Sequence, residues 1–222
     1  MKIKTIAISA TAFVLLGGVV GVQQYISSQI TSKVQQEMPN ASGISASVPL
    51  ADVPSNLTSD SIKSANINIK SFALKESGTK TSLEISASSI SKAKPTLVGS
   101  LEVTATIPAS TITKQSEFNN AQIVGNTLQV AAGAGGMGTA LLIPKYSNSQ
   151  LYFELQSVSI FGNQIAASSL PADLQNQIKS RSERSLTPPK GLKVKSVSLS
   201  SKGLSVRMSG NNIQLGNLGS GL

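Results

Sequence analysis

The chain begins with a long apolar run that carries no charge, and the next charged residue after it is Lys33. The run from Ile6 to Val22 has 17 residues. As a helix it spans about 26 Å, close to the roughly 30 Å hydrocarbon core of a bilayer. Residues 1–25 are therefore predicted to be an uncleaved signal anchor. A cleavable signal peptide is the alternative, although the residues after Val22 make a poor cleavage site.

Two lysines, Lys2 and Lys4, precede this run. Positive charge on the N-terminal side predicts that Met1 lies in the cytoplasm and that the rest of the chain lies outside the plasma membrane.

The segment 26–38 has an apolar residue at every fourth position, which is typical of an amphipathic helix. These positions are Ile26, Ile30, Val34 and Met38. Pro39 ends the pattern because proline cannot continue a helix. We predict a stalk helix over 26–38, a single lipid-binding-like domain over 39–215 and a flexible tail over 216–222.

Alternation of apolar and polar residues dominates the domain and predicts antiparallel strands with one buried face. It is clearest between residues 97 and 107. The apolar positions there are Leu97, Gly99, Leu101, Val103, Ala105 and Ile107. Hairpins are predicted at Gly125-Asn126 and, near the end of the chain, between 192–199 and 204–208.

Two segments break this alternation and predict helices. Residues 108–118 suit a short helix or a turn. Ser169 can cap a helix whose apolar face holds Leu170, Leu174 and Ile178. Together the pattern predicts an α+β fold, in which a membrane helix precedes a long curved antiparallel sheet wrapped on one or two helices.

The predicted inner faces contain aliphatic residues and glycine, with almost no aromatic residue. Such a face can form a solid core, or it can leave an apolar groove wide enough for acyl chains. Periodicity does not separate the two. The candidate groove residues are Leu97, Leu101, Val103, Ile107, Leu174 and Ile178.

Composition argues against catalysis. The chain has no Cys and no His, which excludes thiol nucleophiles and Ser-His or Cys-His arrangements. Its ten carboxylates are scattered, with no local pair of the kind used in glycosidases or metal sites. We predict a non-enzymatic protein with no catalytic residue, metal site or cofactor.

A glycine-rich stretch at 133–138 matches a dinucleotide-binding pattern by spacing alone. That site needs a helix that opens at the last glycine, whereas Pro144 follows closely and the surrounding pattern is antiparallel. We therefore interpret the stretch as a flexible hairpin loop.

The net charge of +9 is unevenly distributed. Residues 179–207 contain eight basic residues against Glu183 alone. One interpretation is a solvated basic face; the other is a surface for an anionic lipid or envelope polymer. Nucleic acid fits poorly because the predicted location is outside the membrane and aromatic residues are few. The candidate headgroup residues are Lys190, Lys193, Lys195 and Arg207.

The sequence Leu-Thr-Pro-Pro-Lys-Gly-Leu at 186–192 leads into the last hairpin. This stretch resembles the closing signature of the LmeA-like family of actinobacterial envelope proteins. The matching positions are Pro188, Pro189, Gly191, Leu192, Gly203 and Gly210. Lys190 departs from the family pattern, in which the prolines are followed directly by glycine.

The resemblance implies phospholipid binding at the outer face of the plasma membrane, on a fold similar to tubular lipid-binding domains. It also implies a supporting role in envelope glycolipid assembly, with envelope glycosyltransferases as possible partners. We therefore predict a phospholipid-binding protein that prefers anionic lipid. The alternative is an envelope scaffold with a solid core and no lipid.

Overall fold

The computed structural model describes residues 6–7, 28, 31–32, 35, 41–49, 52, 56, 59–73, 79–93, 96–115, 118, 120–132 and 137–214. Strands make up 65% of these residues. This content follows from the sequence, because runs of alternating apolar and polar residues, many of them β-branched, favour extended backbone with one buried face.

The elements whose bounds are described are thirteen strands, two α-helices and a short 3-10 helix. The strands are β1 (Ile6–Ala7), β2 (Ser42–Ser47), β3 (Ser61–Ala73), β4 (Lys80–Ser91), β5 (Leu97–Pro108), β6 (Gln122–Val124), β7 (Thr127–Ala132), β8 (Gly138–Ser147), β9 (Gln150–Ile160), β10 (Asn163–Ala166), β11 (Arg184–Thr187), β12 (Lys193–Ser200) and β13 (Gly203–Gln214). The helices are α1 (Ala109–Gln115), the 3-10 helix Ala167–Ser169 and α2 (Ala172–Ser182).

The chain divides into two compact units. Unit 1 comprises 1–6, 106–187 and 196–206, and unit 2 comprises 7–105, 188–195 and 207–222. The boundaries between the units fall inside β1, β5, β12 and β13 and directly after β11.

The first sheet has six strands in the order β12-β13-β5-β4-β3-β2. In unit 2 its strands bury one face, and the core there is mostly aliphatic, with Phe72 as a buried aromatic residue. The buried residues of β3, β4 and β5 in this unit include Ile67, Ile69, Leu83, Ile85, Leu101 and Val103. The pairing of β3 with β4 slips between Ile69 and Phe72, so the buried positions of β3 change parity there.

The second sheet has seven strands in the order β1-β11-β9-β8-β7-β6, with β10 also paired to β9. Its central strands β7, β8 and β9 belong to unit 1 and form consecutive antiparallel hairpins. A register shift between Leu141 and Leu142 changes the face that β9 buries, from Leu155 to Val158. The glycine-rich stretch therefore joins two antiparallel strands, as its interpretation as a hairpin loop predicted.

The α+β prediction is wrong. The structure contains two open antiparallel sheets and little helix, and no residue of α2 is buried. The reason is visible in the helix sequence, where Leu174 and Ile178 are the only large apolar residues. A helix with so little apolar surface cannot cover a sheet.

The helix boundaries also differ from the prediction. Ser169 lies in the 3-10 helix and caps nothing; α2 begins at Ala172, with Pro171 at the N-cap position. It ends before Glu183, and β11 follows it. The short helix after residue 108 and the hairpin at Gly125-Asn126 are confirmed.

Within the described part of the chain, no helix is long and apolar enough to cross a membrane. The predicted anchor 1–25 lies outside that part except for Ile6 and Ala7, which form strand β1 and not the predicted helix. Of the predicted stalk, the described residues Ser28, Thr31, Ser32 and Gln35 are helical.

Candidate functional site

The turn that carries Lys190 is built from the residues that resemble a family signature. The backbone N–H of Leu192 donates to the carbonyl of Pro189 at 3.0 Å, which closes a four-residue turn. Gly191 occupies the third position with φ of +87°, as a type II turn requires. Lys190 is the second residue and is exposed. The turn therefore presents its ammonium group to solvent.

Beneath the turn, two glycines allow a close backbone approach. A Cβ on Gly210 would overlap the carbonyl oxygen of Gly191. A Cβ on Gly191 would come within 2.7 Å of the Cδ1 atom of Ile213. Pro189 and Leu192 are buried beside them, whereas Pro188 is half-buried. These residues hold the shape of the turn.

Gly203 has a separate structural task in unit 1. Its φ is +133°, and a Cβ there would overlap the carbonyl oxygen of Ile107. The N–H of Ala109 donates to the carbonyl of Lys202 at 3.1 Å, which ties the same hairpin to the start of α1. Only glycine fits this position.

Two further lysines follow the turn on an edge strand. Lys193 and Lys195 are exposed, and their spacing of two places them on the same face of β12. Neither has an ion-pair partner among the described residues, and the same is true of Lys190. Lysine on an edge strand also prevents strand pairing with another molecule, so this placement has a structural explanation as well.

Arg207 differs from these lysines because it is already paired. Its Nη2 atom lies 2.8 Å from Glu102 across β13 and β5. The hydrogen bond to Glu102, with a smaller contribution from the charge of that carboxylate, raises the pKa of Arg207. The remaining headgroup candidates are therefore the three lysines, Lys190, Lys193 and Lys195, which we call the lysine triplet.

The rest of the basic stretch has internal partners at several positions, all in unit 1. The Nζ atom of Lys179 lies 4.6 Å from the ring centre of Tyr152, a cation–π geometry. The guanidinium of Arg184 donates to the carbonyls of Arg181 and Glu183. The eight basic residues are thus divided between the two units, and the triplet is the group in unit 2 that has no ion-pair partner among the described residues.

The structure does not place the six groove candidates on one surface. Leu101 and Val103 are fully buried in β5, at 0% exposure, whereas Leu97 on the same strand is 49% exposed. Ile107 and Ile178 are half-buried and Leu174 is exposed, and these three belong to unit 1. Leu101 and Val103 are therefore buried in the way that core residues are.

A different apolar feature, which the alternation did not indicate, lies at one end of the second sheet. Met137 is 59% exposed and Phe161 is 78% exposed, and Ile160 is also exposed. Gly138, which follows Met137, is the strand partner of Ile160. We call Met137, Ile160 and Phe161 the apolar tip.

Phe161 occupies a strained position in this tip. Phe161 and Gly162 form the two-residue turn between β9 and β10, with φ of +51° and +82°. Two positive φ values are typical of a type I′ turn, which favours Asn at the first position. A bulky residue there costs about 1–2 kcal/mol. The sequence signal for this feature was the Phe-Gly pair between two strand patterns.

Buried polar groups are few among the described residues. Asn56 is 6% exposed; its side-chain oxygen accepts from the N–H of Lys63 at 2.9 Å. Lys92 donates to the carbonyls of Asn56 and Ser59, both at 2.6 Å. These contacts fasten the chain beside β3 through amide and ammonium groups. In the part of the chain that the structure describes, no three His, Cys, Asp or Glu side chains are grouped to hold a metal.

Comparison with known proteins adds no relative: no family model, no curated protein and no solved structure matches the chain. The resemblance of residues 186–192 to the family signature therefore stays a prediction.

Proposed function

We propose that the protein is a non-enzymatic phospholipid-binding protein held at the outer face of the plasma membrane. The observation that carries the proposal is the lysine triplet, three exposed ammonium groups within six residues that have no ion-pair partner in the described part of the chain. A type II turn and an edge strand present them, so their backbone needs little ordering when they bind.

The chemistry of the triplet suits phosphate groups at a membrane surface. Near an anionic bilayer each Lys contributes on the order of 1 kcal/mol, and the attraction fades within a Debye length. Three lysines therefore give about 3 kcal/mol, enough to orient a domain that a predicted anchor already tethers. Nothing in this binding requires an acyl-chain groove.

The scaffold alternative is favoured by one observation, the complete burial of Leu101 and Val103. If the unit 2 sheet serves only as a rigid core, the role of the triplet is to prevent aggregation by strand pairing at the sheet edge. In that case a protein partner or an envelope polymer, rather than lipid, determines the function.

Residue-resolved acetylation of the full chain, reconstituted in vesicles, tests the proposal. We expect the triplet lysines to react several-fold more slowly in phosphatidylglycerol vesicles than in phosphatidylcholine vesicles, and high salt to abolish the difference. Lys70, Lys80 and Lys114, which are exposed elsewhere, are the internal controls and should react equally in both lipids. Equal rates for the triplet in the two lipids would exclude headgroup binding there.

A further inference from the structure

We propose that the apolar tip, Met137, Ile160 and Phe161, inserts into the interface of the bilayer. The proposal goes beyond headgroup binding because it names a second membrane contact, in unit 1, which does not depend on the lysine triplet.

The apolar side chains of the tip are strongly exposed. Phe161 is 78% exposed although it is the largest apolar side chain of its turn, and Met137 is 59% exposed. Strand pairing brings the two together, because Met137 precedes Gly138 and Phe161 follows Ile160, and Gly138 and Ile160 are partners. Three large apolar side chains therefore project at one end of adjacent strands.

The sequence that surrounds the tip lacks charge. No charged residue occurs in 118–144 or in 155–172, the stretches that contain the tip and the strands leading to it. On β8 and β9 the nearest charges are Lys145 and Glu154, which form an ion pair at 3.5 Å. At about 3.3 Å per residue, they lie roughly 20 Å along the strands from the tip.

This distribution favours a bilayer over a protein as the occupant. Apolar side chains that enter the interface are buried about 5–10 Å deep, so charges about 20 Å away along the strands remain in water. The residues beside the tip, Ser159 on β9 and Asn163 and Gln164 on β10, are polar but uncharged, and uncharged side chains enter a bilayer at a lower cost than ions.

The backbone of the tip is strained at Phe161. Phe161 adopts a φ of +51°, a conformation that a type I′ turn reserves for Asn or Gly. An aromatic residue at such a position contributes nothing to folding that Asn would not provide better. Strain of this kind concentrates at sites of function, and here it aims an aromatic ring away from the protein.

The absence of Trp from the chain makes a direct test possible. Phe161→Trp in the full chain, reconstituted in phosphatidylcholine vesicles at high salt, reports on the environment of the tip alone. We expect its emission to shift to shorter wavelength relative to the unfolded chain and to be quenched by lipids brominated on the acyl chain. Met137→Trp is a second reporter in an unstrained position and should behave in the same way.

Val124→Trp is the matched control. Val124 is also 50% exposed, but it lies beside the turn at the opposite end of β7 from the tip. The emission of this variant should not be quenched by the brominated lipid. If the tryptophans introduced at positions 161 and 137 are quenched no more than the one at position 124, the tip does not insert. A blue shift that depends on protein concentration and occurs without quenching would mean that a second copy covers the tip, which also overturns the proposal.

A further variant separates membrane contact from folding. Adding Phe161→Asn to Met137→Trp should raise the thermal unfolding midpoint, because Asn suits the turn, and should reduce the quenching of the tryptophan at position 137. If the quenching is unchanged, Phe161 does not anchor the tip. Replacing the lysine triplet with glutamine should leave quenching in neutral vesicles unchanged, so failure of this proposal and failure of headgroup binding give different results.

Discussion

At the scale of single residues, glycines and one phenylalanine set the backbone of the two surfaces that matter. Gly191 and Gly210 let two backbone segments meet beneath the lysine turn, and Gly203 passes the carbonyl of Ile107 where a side chain has no room. Phe161 is the opposite case, a large residue in a conformation that glycine or asparagine would adopt more easily. The three glycines allow close backbone approaches within the fold, whereas Phe161 enlarges an exposed apolar surface.

Gly203→Ala should destabilise the protein by about 3 kcal/mol or more, because it combines a positive φ with overlap against fixed backbone atoms. Urea unfolding followed by circular dichroism measures this. Gly162→Ala is the matched control: its φ is also positive, but no atom lies within 4 Å of the added Cβ. Strain alone should cost about 1 kcal/mol there. Equal losses in the two variants would show that the backbone around Gly203 yields easily.

At the scale of elements, strand β5 shows how a local break in the alternation decides which residues form the core. The sequence pattern predicted that Leu97 and Leu101 share a face, yet Val98 is buried and Leu97 is exposed. The buried positions move by three residues here, from Val98 to Leu101, and Ser89 on the neighbouring strand has a positive φ where it meets Gly99. This break in the alternation removes Leu97 from the predicted inner face.

The same strand distinguishes a solid core from a groove. Leu101→Trp or Val103→Trp should cost about 1–3 kcal/mol or more, because both side chains are fully buried and the added volume forces strain. Leu97→Trp, on the same strand but half exposed, should change stability by less than about 0.5 kcal/mol. Thermal unfolding of the three variants, with a count of co-purified lipid, measures this. If the Leu101→Trp and Val103→Trp variants stay stable and lose lipid, the two residues line an acyl-chain groove and the solid core is excluded.

At the scale of the whole molecule, the two proposed membrane contacts lie in different units. The lysine triplet belongs to unit 2, and the apolar tip, which lies in charge-free sequence, belongs to unit 1. Each surface suits a different layer of a membrane: the triplet suits the anionic headgroups and the tip suits the boundary of the acyl chains. Both proposals depend on the tether that residues 1–25 are predicted to provide.

That tether can be tested directly. We expect the protein to remain in the membrane fraction after alkaline carbonate extraction and to retain its N-terminus, because the run from Ile6 to Val22 is uncharged and follows Lys2 and Lys4. Sequencing of the N-terminus of the protein isolated from membranes is the measurement. A mature chain that starts between residues 20 and 45 would replace the anchor with a cleaved signal peptide.

By itself, the sequence determined local features of this protein: the strands of its clearly alternating stretches, its short helix, two of its hairpins and the absence of Cys and His. These depend on periodicity, turn residues and composition, which act over a few neighbouring positions.

Only the tertiary structure decided which positions of β5 are buried, that Arg207 is paired with Glu102, and that Met137 lies beside Ile160 and Phe161. It also showed that α2 covers no sheet. The physical reason is that bulges, cross-strand pairs and surface clusters depend on the register between strands distant in sequence. A one-residue change in that register moves every side chain of a strand to the other face.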